Sequence, residues 1–377
     1  MNSIKTAPIK QERLASLDTL RGLDLFMLVF FQPVFMAFAK HWSDVPLFSF
    51  LLRQFDHTSW EGFTAWDLVM PLFLFMVGAA MPFSFEKYIQ NRDKSAIYKK
   101  IIRRFIILFI LGIVVQGNLL SLDLREIRIY TNTLQAIAVG YIIAAMLILH
   151  LSKRWQLIFT LFLLICYWVL LTFMGDFSRD GNFAEAVDRT ILGRFRDGVY
   201  YAEDGSWHFA DWYRYTWVLT SLVFGVTTML GVFAGQIMKS GKDKLRNSKR
   251  LFIVGIGLLF SGWLLSFQTP IIKQIWTASM TLWSGGWCFL LMALFYFVVD
   301  YKGRAKGLNW LKIYGMNSIT AYTLGMVINF RSVANSLLWG FEKYVGDYYG
   351  AILTFANFII LLFILNAMHK LRIFVKI

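Results

Sequence analysis

FDHTSWEGFTAWDLVMPLFLF, residues 55–75, decides how the chain is read. Asp56 and His57 stand side by side, Trp60 and Gly62 follow, and then an apolar helix begins with a carboxylate, Asp67, already in its first turn. The run that continues to about residue 84 is long enough to cross a hydrocarbon core. Charge at the mouth of such a helix is costly and is a functional hypothesis by default.

Working outward, apolar runs of similar length recur along the whole chain. They predict ten spans, at 17–39, 64–84, 104–121, 131–149, 156–174, 216–238, 251–267, 277–299, 312–329 and 349–368. Of the 377 residues 57% are hydrophobic and 16% charged, which is far from a soluble balance. The fold class predicted is an all-α polytopic membrane protein, a single transmembrane domain over 1–377 with a polar tail at 1–12. The first run carries Asp24 and Gln32-Pro33, with no small-residue cleavage site after it, so it reads as a permanent span.

A net charge of +15 raises the question of nucleic acid, and the distribution of charge answers it. With ten spans both termini share one side, and 26 of the 38 Lys and Arg fall on that side, against seven of the 23 Asp and Glu. The basic side is expected to be cytoplasmic. The loops holding His57 and residues 175–215 are then external, the second carrying a short helix at 183–193. Membrane lipids explain the basic charge and nucleic acid is not needed. The chain is expected in the cell (inner) membrane. Cys166 and Cys288 both lie in apolar runs and read as core residues. No cysteine or histidine spacing suggests a metal, and no phosphate-binding glycine loop occurs. GVFAG (Gly231, Gly235) is a GxxxG pair, which alone is weak evidence for a dimer face.

Polar groups cluster at the ends of several spans. Asp18 and Arg21, at i and i+3, either form a structural pair or help hold an anion, with Arg103 and Arg104 as further cations for phosphate. His57 is the only histidine beside a carboxylate just ahead of a span, and neutral imidazole accepts a proton near neutral pH. Asp56 or Asp67 can orient it. In TPIIKQIWTASMTLWSGG (269–286), Lys273, Trp276 and Ser279 are either interfacial anchors or site residues. In YGMNSITAY (314–322), Asn317 is either a helix cap or a ligand group, and Gln135 is a lone polar group within a span.

RLASLDTLRGLDLFMLVF, HTSWEGFTAWDLVMPLFLFMVGAAMPFS, TLQAIAVGY, IKQIWTAS and YGMNSI together resemble the heparan-α-glucosaminide N-acetyltransferase family, over about residues 13–368. Its most specific part is HxxWxGxxxxDLvxPxFxF, met by His57, Trp60, Gly62, Asp67, Leu68, Val69, Pro71, Phe73 and Phe75. The resemblance implies transfer of acetyl from cytoplasmic acetyl-CoA to the amine of a terminal glucosamine on the far side. It also implies His57 as the catalytic residue and a homodimer. Gln32 stands where the family has Asn, and Asp56 where it has a basic residue, so Asp67 is the expected partner of His57. With no large luminal domain ahead of residue 13, a compact bacterial-type enzyme acting on small sugars is expected. Trp60, Gln32, Lys273, Trp276, Ser279 and Asn317 are candidates for substrate binding. The aromatic segment 207–215, WHFADWYRY, either stacks on a sugar or forms an interfacial belt. Two other readings stay open: a proton-coupled sugar or metabolite transporter using His57 and Asp67 as a relay, and an O-acyltransferase of surface glycans.

Overall fold

The computed structural model describes residues 14–86, 88, 94–117, 123–213, 215–241 and 243–373. The 1–12 tail and the last residues of the third predicted span lie outside them. Backbone groups in lipid must be satisfied within their own segment, which favours helices. Eight helices among the described residues are long and apolar enough to cross a membrane: Ala15–Trp42, Ala65–Ser84, Thr133–His150, Lys153–Met174, Ser221–Lys239, Lys244–Ser266, Ala278–Tyr301 and Glu342–Lys370. The protein is an all-α polytopic membrane protein.

The other two predicted spans differ from a plain apolar helix. The third falls on Lys94–Gln116, whose first turns carry Lys99, Lys100, Arg103 and Arg104. The ninth, expected to run unbroken over 312–329, is divided into Asn309–Met316 and Ser318–Val327. Asn317 sits between them at φ −119° and ψ 31°, outside helical geometry, and its side-chain amide donates to the Ile373 carbonyl. The first span is also irregular. A wide π turn at Met27–Phe31 precedes Pro33, which has no N–H to continue the ladder.

Ser221–Lys239 is the most buried of the eight. It packs on Ala65–Ser84 through Gly78, Gly231 and Gly235. A Cβ at Gly231 would overlap the Phe75 carbonyl, and one at Gly78 the Thr228 carbonyl. The GxxxG pair therefore joins two helices of the same chain, because only hydrogen at Cα lets the backbones come this close. Lys153–Met174 and Lys244–Ser266 lie outermost and turn Ile158, Phe162, Ile253 and Phe260 outward. Apolar side chains facing out around a glycine- and threonine-lined interior suit lipid as the solvent.

The 175–217 segment is compact. Phe183–Leu192 is helical, starting at the Asn182 cap, and Val199–Tyr201 pairs antiparallel with Trp207–Phe209. Arg196 is fully buried, bonded to Glu185 and flanked by Phe209 and Tyr213. Asp188 accepts the Trp217 and Val218 N–H groups at 2.7 and 2.9 Å and so ties this segment to the next span.

Candidate active site

The carboxylate in the first turn of the Ala65–Ser84 helix does two jobs. Thr64 is the N-cap and Asp67 the third helical residue, and the two exchange hydrogen bonds in a capping box. Asp67 Oδ2 accepts from the Thr64 N–H and hydroxyl, both at 3.0 Å, and from the Thr58 hydroxyl at 3.3 Å. Oδ1 is turned the other way, 2.8 Å from His57 Nδ1. Helix chemistry therefore fixes the acid, and the acid fixes the imidazole. Asp67 is 1% exposed at its side chain and His57 is 37% exposed, so one end of the pair is anchored and the other is accessible.

Lys273 arrives from the far end of the sequence. The chain at 58–62 docks along 271–274: the Gly62 N–H donates to the Ile271 carbonyl at 2.8 Å, Glu61 bridges Ile272, and Gln274 donates to the Thr58 carbonyl at 2.8 Å. This sets Lys273 Nζ 2.9 Å from His57 Nδ1, 3.3 Å from Nε2 and 3.4 Å from Asp67 Oδ1. Burial lowers the Lys273 pKa to about 8, with Asp67 resisting the shift. The turn is strained. Trp276 adopts φ 47°, unusual for a bulky side chain, and is held there by packing edge-on against Phe224 at 4.9 Å and by donating to the Thr227 hydroxyl.

The three groups form a proton-handling unit. Nδ1 cannot donate to Asp67 and accept from Lys273 at once. When Nδ1 carries the proton it donates to Asp67, and Nε2 keeps a lone pair that can accept a proton from a substrate. The Lys273 ammonium, 2.9 Å from Nδ1 and 3.3 Å from Nε2, sets a positive charge against the edge of the ring.

His57 and Lys273 open into a cavity of about 350 Å³. Tyr213, Tyr215, Trp217 and Asp197 from the 175–217 segment form part of its wall, and Thr131, Asn132 and Leu28 other parts. A second, narrower cavity of about 80 Å³ is lined by Arg21, Arg104, Ser318 and apolar side chains of the Ala65–Ser84, Lys94–Gln116 and Thr133–His150 helices. Phe73, Thr133 and Tyr322 line both, so these side chains stand between the two cavities. Tyr322 and Ser318 reach them from the helix that starts at the Asn317 break.

The structure sorts the residues singled out in the sequence. His57, Asp67 and Lys273 come together, and Arg21 and Arg104 line the narrow cavity. The others lie outside both linings. Asp56 accepts the His57 backbone N–H rather than meeting its ring. Trp60 donates to the Phe177 carbonyl, and Gln32 to the Phe55 carbonyl. Trp276 and Ser279 are buried, Ser279 bonding the Pro270 carbonyl, so they hold the turn that carries Lys273. Asn317 is buried at the helix break. Arg103 is exposed on the opposite side of its helix from the cavity residue Leu108, and Asp18 lies 3.8 Å from Arg21. Gln135 folds the chain ahead of its helix, bonding the Thr131 N–H and the Ile129 carbonyl. The sequence reading missed Asp197, Trp217, Tyr322 and Thr131–Thr133. The polar Thr131-Asn132-Thr133 run at a span start was a signal, whereas Asp197 had none among so many loop acids.

The fold and site describe a polytopic membrane protein with a histidine, a carboxylate and a lysine at one cavity and two arginines lining a second beside it. The comparisons agree with the resemblance carried by the motifs. The chain is similar to heparan-alpha-glucosaminide N-acetyltransferase of Mus musculus, 27% identical over 366 residues, covering 82% of this chain and 53% of that protein. It is likewise similar to the protein of the same name in Homo sapiens, 27% identical over 375 residues, covering 82% and 52%. The chain thus spans about half the length of the curated relatives it matches. Residues 13–192 also match a family described as a domain of unknown function (DUF5009).

Proposed function

We propose that the chain is a transmembrane N-acetyltransferase that moves acetyl from cytoplasmic acetyl-CoA to the amine of glucosamine or a glucosamine-terminated sugar on the external side. The observation that carries this reading is the placement of His57, Asp67 and Lys273 at one of two neighbouring cavities, with Arg21 and Arg104 at the other. The names of the relatives support it, as does the basic bias of the loops on the arginine side.

At about 80 Å³ the second cavity would have to widen to admit an acyl-bearing arm, and a nucleotide head would stay at its mouth. Guanidinium groups suit phosphate there. Asp67 holds the Nδ1–H tautomer, so His57 Nε2 takes a proton from the amine as its nitrogen attacks the thioester carbonyl. A C–N bond forms, the C–S bond breaks, and the thiolate leaves and takes up a proton. Lys273 stabilises the oxyanion between these events. Transfer is direct, with His57 as base and no acyl-imidazole.

Purified protein in detergent, given labelled acetyl-CoA, should label glucosamine and leave glucose unlabelled. No gradient exists in detergent, so label on the sugar separates an enzyme from a proton-coupled transporter. Label on glucose instead would point to O-acyl transfer. Without acceptor, direct transfer releases almost no CoA, whereas one equivalent per site in a burst would mean that His57 carries the acetyl group.

A further inference from the structure

Of the charged side chains that line the His57 cavity among the described residues, two are already engaged with each other: His57 and Lys273 share Asp67. The third is Asp197. One of its oxygens accepts the N–H of the next residue, Gly198, at 2.9 Å, and the other meets no donor among the described residues. Its backbone is held firmly. Arg196, before it, is fully buried and bonds Glu185 and the Asp197 carbonyl. Gly198, after it, has φ 69° and lies against Tyr213, where a Cβ would overlap the ring. The Gly198 carbonyl accepts the Ala210 N–H, which ties this turn to the end of the strand pair. A carboxylate with one oxygen unpaired among the described residues is therefore fixed on the wall of a cavity that Tyr213, Tyr215 and Trp217 also line. The opposite charge, on Lys273, repels a cation that approaches His57 unaccompanied.

We propose that Asp197 is the residue by which the cavity recognises its acceptor as a cation, binding the ammonium form of an amino sugar beside the Tyr213, Tyr215 and Trp217 rings. The inference rests on reading this cavity as the acceptor site. It explains how a site that already holds an ammonium admits a second. Asp197 balances the incoming charge until the ammonium loses its extra proton to solvent, leaving the neutral amine whose next proton His57 takes as the C–N bond forms.

The test is calorimetric titration of the full chain in detergent at neutral pH with glucosamine and with glucose, which has the same ring but no charge. Wild type should bind glucosamine the more tightly. Asp197→Asn keeps the shape and removes the charge, and it should weaken glucosamine about tenfold, the scale of one charge-assisted hydrogen bond, while leaving glucose unchanged. Asp204→Asn, on the exposed tip between the two strands, should match wild type for both sugars. Equal weakening of both sugars by Asp197→Asn would make Asp197 a structural or hydroxyl-binding residue and overturn the proposal. So would unaltered glucosamine affinity, or a wild type with no preference between the sugars. Binding is read without turnover, so selective binding with no acetyl transfer would leave this inference standing and sink the acetyltransferase reading instead.

Discussion

The two ends of the site are built by different means. At the His57 end each group is bonded to a fixed partner. Asp67 is locked by a capping box, His57 by Asp67, and Lys273 by a docked turn with a strained tryptophan. At the Arg21 end two long side chains reach in from separate helices. Arg21 is 3.8 Å from Asp18, and Arg104 rests on the Tyr141 ring at 4.5 Å. Proton transfer needs atoms held to within a fraction of an ångström, so rigid local chemistry suits the first end. A flexible polyanion needs positive charge more than fixed geometry, so adaptable side chains suit the second.

The comparison assumes that the ends face opposite sides of a membrane, and that is where it breaks most sharply. Single cysteines at Ser206 and Ser240 should differ all or none with an impermeant thiol reagent in intact cells, Ser206 labelling and Ser240 not. Labelling at Ser240 would remove the two-sided scheme.

Next in size is the loss of the base. His57→Ala should lower turnover roughly 10²- to 10⁴-fold, the usual range for a lost general base, while CoA still binds. Near-normal turnover in that variant would take His57 out of the mechanism.

Lys273 sharpens the comparison through pH. Its pKa in the folded protein is lowered from 10.5 to about 8, so above pH 8 the native side chain is neutral while the unfolded one still carries a proton. Turnover that needs the ammonium should therefore fall as pH rises through about 8. Stability should rise between about 8 and 10.5, because the unfolded state binds more protons in that window. Lys273→Arg, which stays charged, should remove the alkaline fall in rate, and Lys273→Met should cost roughly 10²-fold in turnover at neutral pH. An alkaline limb that survives in the arginine variant would assign that titration to another group.

The smallest effects belong to the arginine end. Arg21→Ala should weaken CoA binding roughly tenfold and leave sugar binding alone. Arg103→Ala, which removes a charge outside the cavity, should change neither. If Arg21→Ala lowers thermal stability with CoA affinity intact, Arg21 serves only as the partner of Asp18.

What the sequence by itself determined is the part written in periodicity and composition. Long apolar runs cannot be satisfied in water or as open strands in lipid, so the helical membrane architecture was legible. His57 was legible from its place beside carboxylates ahead of a span, but the residues alone left Asp56 and Asp67 as equal partners, and only the family resemblance favoured Asp67. Tertiary structure decided the rest. Lys273 is 216 residues from His57 and reaches it only because 58–62 docks on 271–274. The break at Asn317 is invisible to hydropathy, which stays apolar across it, yet it places Ser318 and Tyr322 in the cavity wall. Gly231 and Gly235 could be read as a contact with another chain, until the Phe75 and Ala79 carbonyls are found against them. Asp197 is one acid among many in its loop. Its own oxygen unpaired among the described residues, a buried arginine before it and a positive-φ glycine after it single it out, and all three are properties of packing rather than of order along the chain.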